Sequence, residues 1–357
     1  MNRKLIKATN FYLSFFFYVF YFMLAINVYA ASGGAAFLKK GVGARALGMG
    51  GAYTSLSNDA TAVYWNPAGL GQVKKYSISV MGTSGASNEW TGLQDVVSTH
   101  NFAAISIPIS KFTNSLGGSV FALGLLNSSI GNIVKSKESD DGTDGIEIGK
   151  FSDTQNAIYL SWGMPIWESD NNLYAGLSLK YILESMDGID GGKASGYDID
   201  VGLVYNVFKT LNFGLLFNKG AKLTWEGGET DNAALTTKFG VSNKFTITDK
   251  FRITGAFDLI QSQKEPLSGN IGAEVSYLDI FTAGMFGLKG LHLRGGLNSY
   301  ALEDRYGKKE DINKNVTYSI GFGIDLMLFE SLLQLDYAMS MGNLFDQKNK
   351  ISLNFFF

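Results

Sequence analysis

Val316-Thr-Tyr-Ser-Ile-Gly-Phe-Gly-Ile-Asp-Leu326 decides the fold. Successive side chains of an extended strand point to opposite faces, so Val316, Tyr318, Ile320, Phe322, Ile324 and Leu326 share one face. Thr317, Ser319, Gly321, Gly323 and Asp325 share the other, which holds almost nothing bulky and suits a lumen. Two more stretches repeat the pattern. In Ala194 to Val207, Tyr197, Ile199, Val201, Leu203, Tyr205 and Val207 oppose Gly196, Asp198, Asp200, Gly202, Val204 and Asn206. In Leu173 to Leu183 the alternate set Leu173, Ala175, Leu177, Leu179, Tyr181 and Leu183 opposes Tyr174, Gly176, Ser178, Lys180 and Ile182.

Working outward, further period-2 segments begin near Tyr76, Asn101, Leu116, Thr154, Leu211, Thr236, Phe251, Gly269, Leu288, Leu333 and Lys350, separated by Gly, Asn, Asp, Ser and Lys clusters. The total is about fourteen antiparallel strands, an even number that brings both ends of a closed sheet to one side. The expected fold class is therefore all-β, a transmembrane antiparallel β-barrel. Val134 to Lys150, Asp187 to Ser195, Glu226 to Ala234 and Ala301 to Lys314 read as long extracellular loops, and Val207-Phe208-Lys209-Thr210 as a short periplasmic turn.

Alternation alone does not say which face meets lipid, and a large soluble β-sandwich would bury the apolar one. Composition bears on the choice. The 357 residues include 43 Gly but only 4 Pro, 13% are aromatic and 17% charged, against roughly 25% charged in soluble domains. A mean hydropathy of +0.06 is what a wall with one apolar and one polar face averages to. Tyr181, Tyr197, Tyr205, Tyr318 and Phe329 stand near strand ends, where membrane barrels carry aromatic girdles. A formal net charge of −2 offers no basic face for nucleic acid.

Arg3, Lys4 and Lys7 precede an apolar run from Phe11 to Ile26 and then Val28-Tyr29-Ala30, the layout of an export signal cleaved after Ala30. The length of the run also fits an uncleaved anchor. After Ala30 no stretch approaches the roughly 18 apolar residues of a spanning helix, so insertion has to be by strands. With no cysteine, disulfides, thiolate catalysis and a lipoprotein anchor drop out. The expected organisation is residues 1–30 as signal peptide, 31–75 as a luminal plug and 76–357 as the barrel.

Gly41 to Leu70 reads GVGARALGMGGAYTSLSNDATAVYWNPAGL and does not alternate. Gly41, Ala46, Gly48, Gly50, Ala52, Asp59, Ala60, Asn66, Pro67, Ala68, Gly69 and Leu70 form a string that resembles the N-terminal motif of the FadL-like outer-membrane barrels, most closely the PorV/PorQ branch (UPF0164-like). LRGGL at Leu293 to Leu297, LDYA at Leu335 to Ala338, and Gly342 and Leu344 resemble the family's later strands. The terminal Lys350-Ile-Ser-Leu-Asn-Phe-Phe-Phe357, with Ile351, Leu353, Phe355 and Phe357 alternating, is similar to the signal read by the barrel-assembly machinery. The resemblance covers both ends and one interior strand. Small residues pack closely in a lumen and permit positive φ, which suits a plug. Asn58-Asp59-Ala60 can cap a short helix toward Val63 and Tyr64 that Asn66-Pro67 ends. Such a segment is either a brace or a movable hatch.

The resemblance implies outer-membrane lipid as surroundings and one of two non-enzymatic jobs: passage of hydrophobic small molecules, or receipt of secreted proteins in type IX secretion and surface attachment. An apolar pocket at the mouth, lined by aromatics of the Trp225 loop, would favour the first. No cofactor is expected. His100 and His292 are the only histidines and neither stands in a catalytic string. His292 and Arg294 share a lumen face and read as a solvated pair. Asp140, Asp141, Asp144 and Glu147 offer clustered oxygens, but their spacing is not that of an EF-hand and a solvated loop fits them better. Gly48-Met49-Gly50-Gly51 lacks the preceding parallel strand of a nucleotide loop.

Overall fold

A computed structural model describes residues 34–84, 97–109, 117–138, 145–169, 171–207, 210–263, 265, 267–299, 316–342 and 348–357. The strands are β1 (Ser77–Ser84), β2 (Val97–Pro108), β3 (Val120–Glu138), β4 (Gly145–Trp167), β5 (Asn172–Asp187), β6 (Lys193–Val207), β7 (Leu211–Asn218), β8 (Lys222–Trp225), β9 (Thr230–Asn232), β10 (Thr236–Thr248), β11 (Phe251–Ser262), β12 (Ser268–Ala283), β13 (Phe286–Ser299), β14 (Val316–Leu328), β15 (Ser331–Met341) and β16 (Lys348–Phe356). Each pairs antiparallel with its neighbour in the chain, except that β7 passes over the β8–β9 hairpin to β10, and β1 closes on β16. Fourteen strands therefore make a closed barrel. The hairpin β8–β9 stands outside the ring and covers the end of β6 that the short β7 does not reach. At the closure Tyr76 and Phe357 exchange backbone hydrogen bonds, and their rings stack at 5.4 Å. That end is the near rim.

The alternative of a soluble sandwich is excluded by which face is buried. On β14, Tyr318, Ile320 and Phe322 are exposed while Ser319, Gly321, Gly323 and Asp325 are buried, and on β6 Asp198 and Asp200 are buried while Tyr197 and Val201 are exposed. A soluble sheet does the reverse. Tyr205 departs from the expected girdle. It points outward yet is buried, because its cross-strand neighbour Phe213 and the next strand's Phe239 crowd over it.

Two expected loops are strands. β3 and β4 run through most of Val134 to Lys150, and Glu226 to Ala234 contributes β9. The β3–β4 hairpin projects where neither face is buried, so no apolar alternation marks it, and β9 is three residues, too short to show a period. Phe11 to Ala30, the Ala301 to Lys314 loop, and Asp140, Asp141 and Asp144 lie outside the described residues; Glu147 is on β4.

Candidate functional site in the barrel lumen

Residues 34–75 fill the lumen. The segment carries two short helices, α1 (Ala44–Gly48) and α2 (Ala62–Trp65), with 3-10 turns at Ala36–Lys39 and Pro67–Gln72. Its first described residue, Gly34, lies beside Asp231 and Ala233 of the far-rim hairpin, so the segment crosses the lumen before reaching β1. α1 packs on β13 to β16, and the turn after α2 packs on β3 to β6.

Glycines of the inner wall allow this approach. A Cβ at Gly296 would fall 2.1 Å from Gly50 N, one at Gly176 2.2 Å from Pro67 C, one at Gly272 2.4 Å from Met49 O and one at Gly214 2.5 Å from Thr54 O. Ordinary carbon contacts begin near 3.5 Å, so backbone meets backbone where any larger residue would keep them apart. Gly48 meets Gly321 of β14 in the same way. The bulk missing from the second face of Val316 to Leu326 is thus filled by the segment, and the lumen is packed where the two meet.

The motif residues occupy distinct places in that packing. Gly41 (φ 79°) donates its N–H to Tyr64 Oη at 2.9 Å, and its carbonyl is hydrogen-bonded by His100 Nε2 at 3.0 Å. Ala46 is buried on α1, and Gly50 (φ 65°) turns the chain against Leu297. Ala52, Ala68 and Leu70 are fully buried, and Ala60 N donates to Ser77 Oγ. Asp59 does not cap α2; its Oδ1 accepts from Thr61 N at 2.8 Å and closes the preceding turn. Asn66, extended before Pro67, ends α2 as expected, and its Oδ1 caps the next turn by accepting from Ala68 N. Its Nδ2 donates to Thr54 O at 2.9 Å. Gly69 packs on Ser57.

Charged groups pin the segment to the wall. Arg45 of α1 donates to both oxygens of Glu274, through Nε at 3.0 Å and Nη2 at 2.9 Å. Glu274 Oε2 also accepts from Arg294 Nε at 2.6 Å, and Arg294 Nη1 reaches Asp336 Oδ1 at 2.6 Å. Burial disfavours the Arg45 charge, but Glu274 more than offsets it and holds the guanidinium firmly protonated. Asp258 Oδ2 accepts from Tyr53 N, Thr54 N and Thr54 Oγ1 at 3.0, 2.9 and 2.7 Å. Burial raises the Tyr53 hydroxyl well above its ordinary value, so it stays neutral.

His292 and Arg294 are not the solvated pair the strand pattern suggested. Both are buried, and they part company: His292 Nε2 faces Asp325 at 3.0 Å and its Nδ1 faces Ser276 Oγ at 2.8 Å. Among the described residues no group of three metal-binding side chains occurs. Sequence reasoning missed Asp258 and Glu274, and met Asp336 only as part of LDYA. Their only signal is a carboxylate on the small-residue face of a strand.

Above the segment, in the far-rim half of the lumen, lies a cavity of about 450 Å³. Leu47, Gly51, Tyr64 and Trp65 form its floor, and its wall includes Tyr159, Lys180, Asp198, Asp200, Lys238, Asn270 and Asn298. Its lining mixes apolar with charged side chains, and Trp225 of the expected aromatic loop does not line it. That ring packs against the buried cluster and donates Nε1 to Asp231 Oδ2 at 2.9 Å.

No family model matches the chain, and no curated protein does. Solved structures do. The Pseudomonas putida toluene transporter TodX aligns with TM-score 0.54 at 11% identity, over 89% of this chain and 97% of that one. The CymD monoaromatic hydrocarbon channel gives 0.53 at 12%, over 88% and 96%. A Pseudomonas aeruginosa FadL homologue gives 0.50 at 10%, over 88% and 98%. The fold is FadL-like. Identities this low carry the architecture alone, and in this FadL-like barrel the lining of the cavity is the chain's own.

Proposed function

We propose that this chain is an outer-membrane β-barrel of the PorV/PorQ, FadL-like type that passes hydrophobic compounds across the outer membrane, with no chemical step. The observation that carries the proposal is a cavity inside a closed wall whose exterior is apolar and whose floor is the N-terminal segment, docked on the wall by packing, hydrogen bonds and ion pairs. An exterior displaying Leu123, Leu125, Leu160, Ile320 and Phe322 would aggregate in water but is solvated by lipid. Residues 1–30 serve as export signal, 31–75 as plug and 76–357 as barrel. Ile351, Leu353, Phe355 and Phe357 form the assembly signal. The motif of Gly41 to Leu70 supports the PorV/PorQ branch, and the cavity supports small molecules over secreted proteins as cargo.

A solute in the cavity stands on Trp65, so passage requires the segment to shift: the plug is a hatch. The chain lacks cysteine, which makes this testable by cross-linking. Ala44 N of the segment lies 3.0 Å from Ser352 Oγ of β16, so Ala44→Cys with Ser352→Cys can tie the segment to the wall when oxidised. In proteoliposomes, toluene entry should fall on oxidation and return on reduction. Entry unchanged by the cross-link would make the segment a brace, and no entry in any state would reject transport.

A further inference from the structure

Trp65, Lys238, Asn270 and Asn298 meet at one side of the cavity. Lys238 Nζ stands 5.5 Å above the Trp65 ring. Asn270 on β12 and Asn298 on β13 are direct cross-strand partners, both facing inward. They converge on Gly51, whose φ of +76° and missing side chain leave a point open. A Cβ there would lie 3.1 Å from Asn270 Nδ2, 3.8 Å from Asn298 Nδ2 and 3.5 Å from Trp65 Cη2. Two amide donors and an aromatic edge thus surround a space one heavy atom wide. Asn270 is buried, and its Oδ1 has no partner among the described residues.

The charge of the cavity is unevenly neutralised. Lys39 pairs with Glu265, Lys180 with Asp198 and Asp200, and Lys40 donates to Ser128. Lys238 makes no ion pair among the described residues. The carboxylate on the neighbouring strand, Asp258, has turned its Oδ2 to Tyr53 and Thr54. A half-buried ammonium with convergent amide N–H donors is the donor set that an oxyanion recognises, and hydrogen bonds to charged groups are the strong ones. The Trp65 edge, with Leu47 and Tyr64 also lining the cavity, gives an apolar body something to pack against.

Resting on the transport reading and narrowing it, we propose that the cavity is a binding site for small aromatic acids, with the carboxylate held by Lys238, Asn270 and Asn298 and the ring packed against Leu47, Tyr64 and the Trp65 edge. A cavity of about 450 Å³ admits a bicyclic acid whole. The site would sort solutes by head group before they reach the hatch, preferring an acid to the neutral compound of the same shape.

The test uses the purified full-length barrel in detergent, checked by heat-modifiable migration, with 2-naphthoate and neutral 2-naphthalenemethanol as probes in calorimetric titration. The acid should bind about tenfold or more tighter than the alcohol, and Lys238→Met should abolish that preference while Lys238→Arg keeps it. If Lys238→Met does not yield a heat-modifiable barrel, Asn298→Ala should reduce the preference in the same titration. Equal binding of acid and alcohol, or a preference indifferent to Lys238→Met or Asn298→Ala, overturns the proposal. Permeation of the same probes into proteoliposomes separates the two readings. Entry of the alcohol with no preference for the acid defeats the site and leaves transport standing. Tight acid binding with no entry of either probe defeats transport and leaves the site.

Discussion

Removing the charge of Glu274 should loosen the luminal segment by a calculable amount. Glu274 balances Arg45 of the segment and shares Arg294 with Asp336, so Arg45, Arg294, Glu274 and Asp336 together are neutral. Glu274→Gln leaves Arg294 its 2.6 Å partner Asp336 but leaves Arg45 with none, and turns an amide N–H toward a guanidinium. Breaking a buried pair from one side costs about 3–5 kcal/mol. Part of that cost falls on the docked state of α1 alone, since the strand pairing of β12 is untouched. The absence of cysteine allows Ala46→Cys, buried on α1, to report opening by its rate of maleimide labelling. At about 1.4 kcal/mol per tenfold, the whole cost would accelerate labelling by roughly two to three and a half orders of magnitude, which is the upper bound, and the part that falls on docking sets a rise of about tenfold or more. Arg45→Met combined with Glu274→Gln removes both charges and should recover most of the protection. A rise below about threefold in the single variant, or no recovery in the double one, would refute the view that this pair holds the segment down.

Three further perturbations follow from the same packing. Gly296→Ala places a Cβ 2.1 Å from Gly50 N, where only backbone can yield, and should cost about 1–3 kcal/mol or more, read as a lower temperature for loss of the compact gel band. Asp258→Ala strips the shared acceptor from Tyr53 N, Thr54 N and Thr54 Oγ1 and should cost about 1–3 kcal/mol per orphaned donor, seen as protease cleavage within residues 50–60 of otherwise intact barrel. Phe357→Asp removes the ring stacked on Tyr76 and should deplete folded barrel from the membrane fraction; normal levels would show that closure and assembly do not depend on it.

The barrel itself was legible, because alternation is a local property and the strand starts from Tyr76 to Lys350 correspond to the fourteen strands of the ring. Legibility failed where local pattern and environment part. The β3–β4 hairpin projects beyond any buried face, so its polar residues read as a loop until the pairing of Val134 with Lys150 shows a ladder. The site fared worse. Arg45 and Glu274 are 229 residues apart, and nothing local in either one's neighbourhood names the other. Gly176, Gly272, Gly296 and Gly321 could be placed on the inner face, yet glycine on an inner face suits an open pore as well as a close approach. Only the geometry shows that each one accommodates backbone of the segment.

The Ala44 N–Ser352 Oγ hydrogen bond joins residues 308 apart, and α1 rests on β13 to β16 while the turn after α2 rests on β3 to β6. The first part of the chain to be made therefore docks on a surface that the last part completes. Contacts of such sequence separation make folding slow. The strand that seals the seam with β1 is thus also part of the surface on which α1 rests.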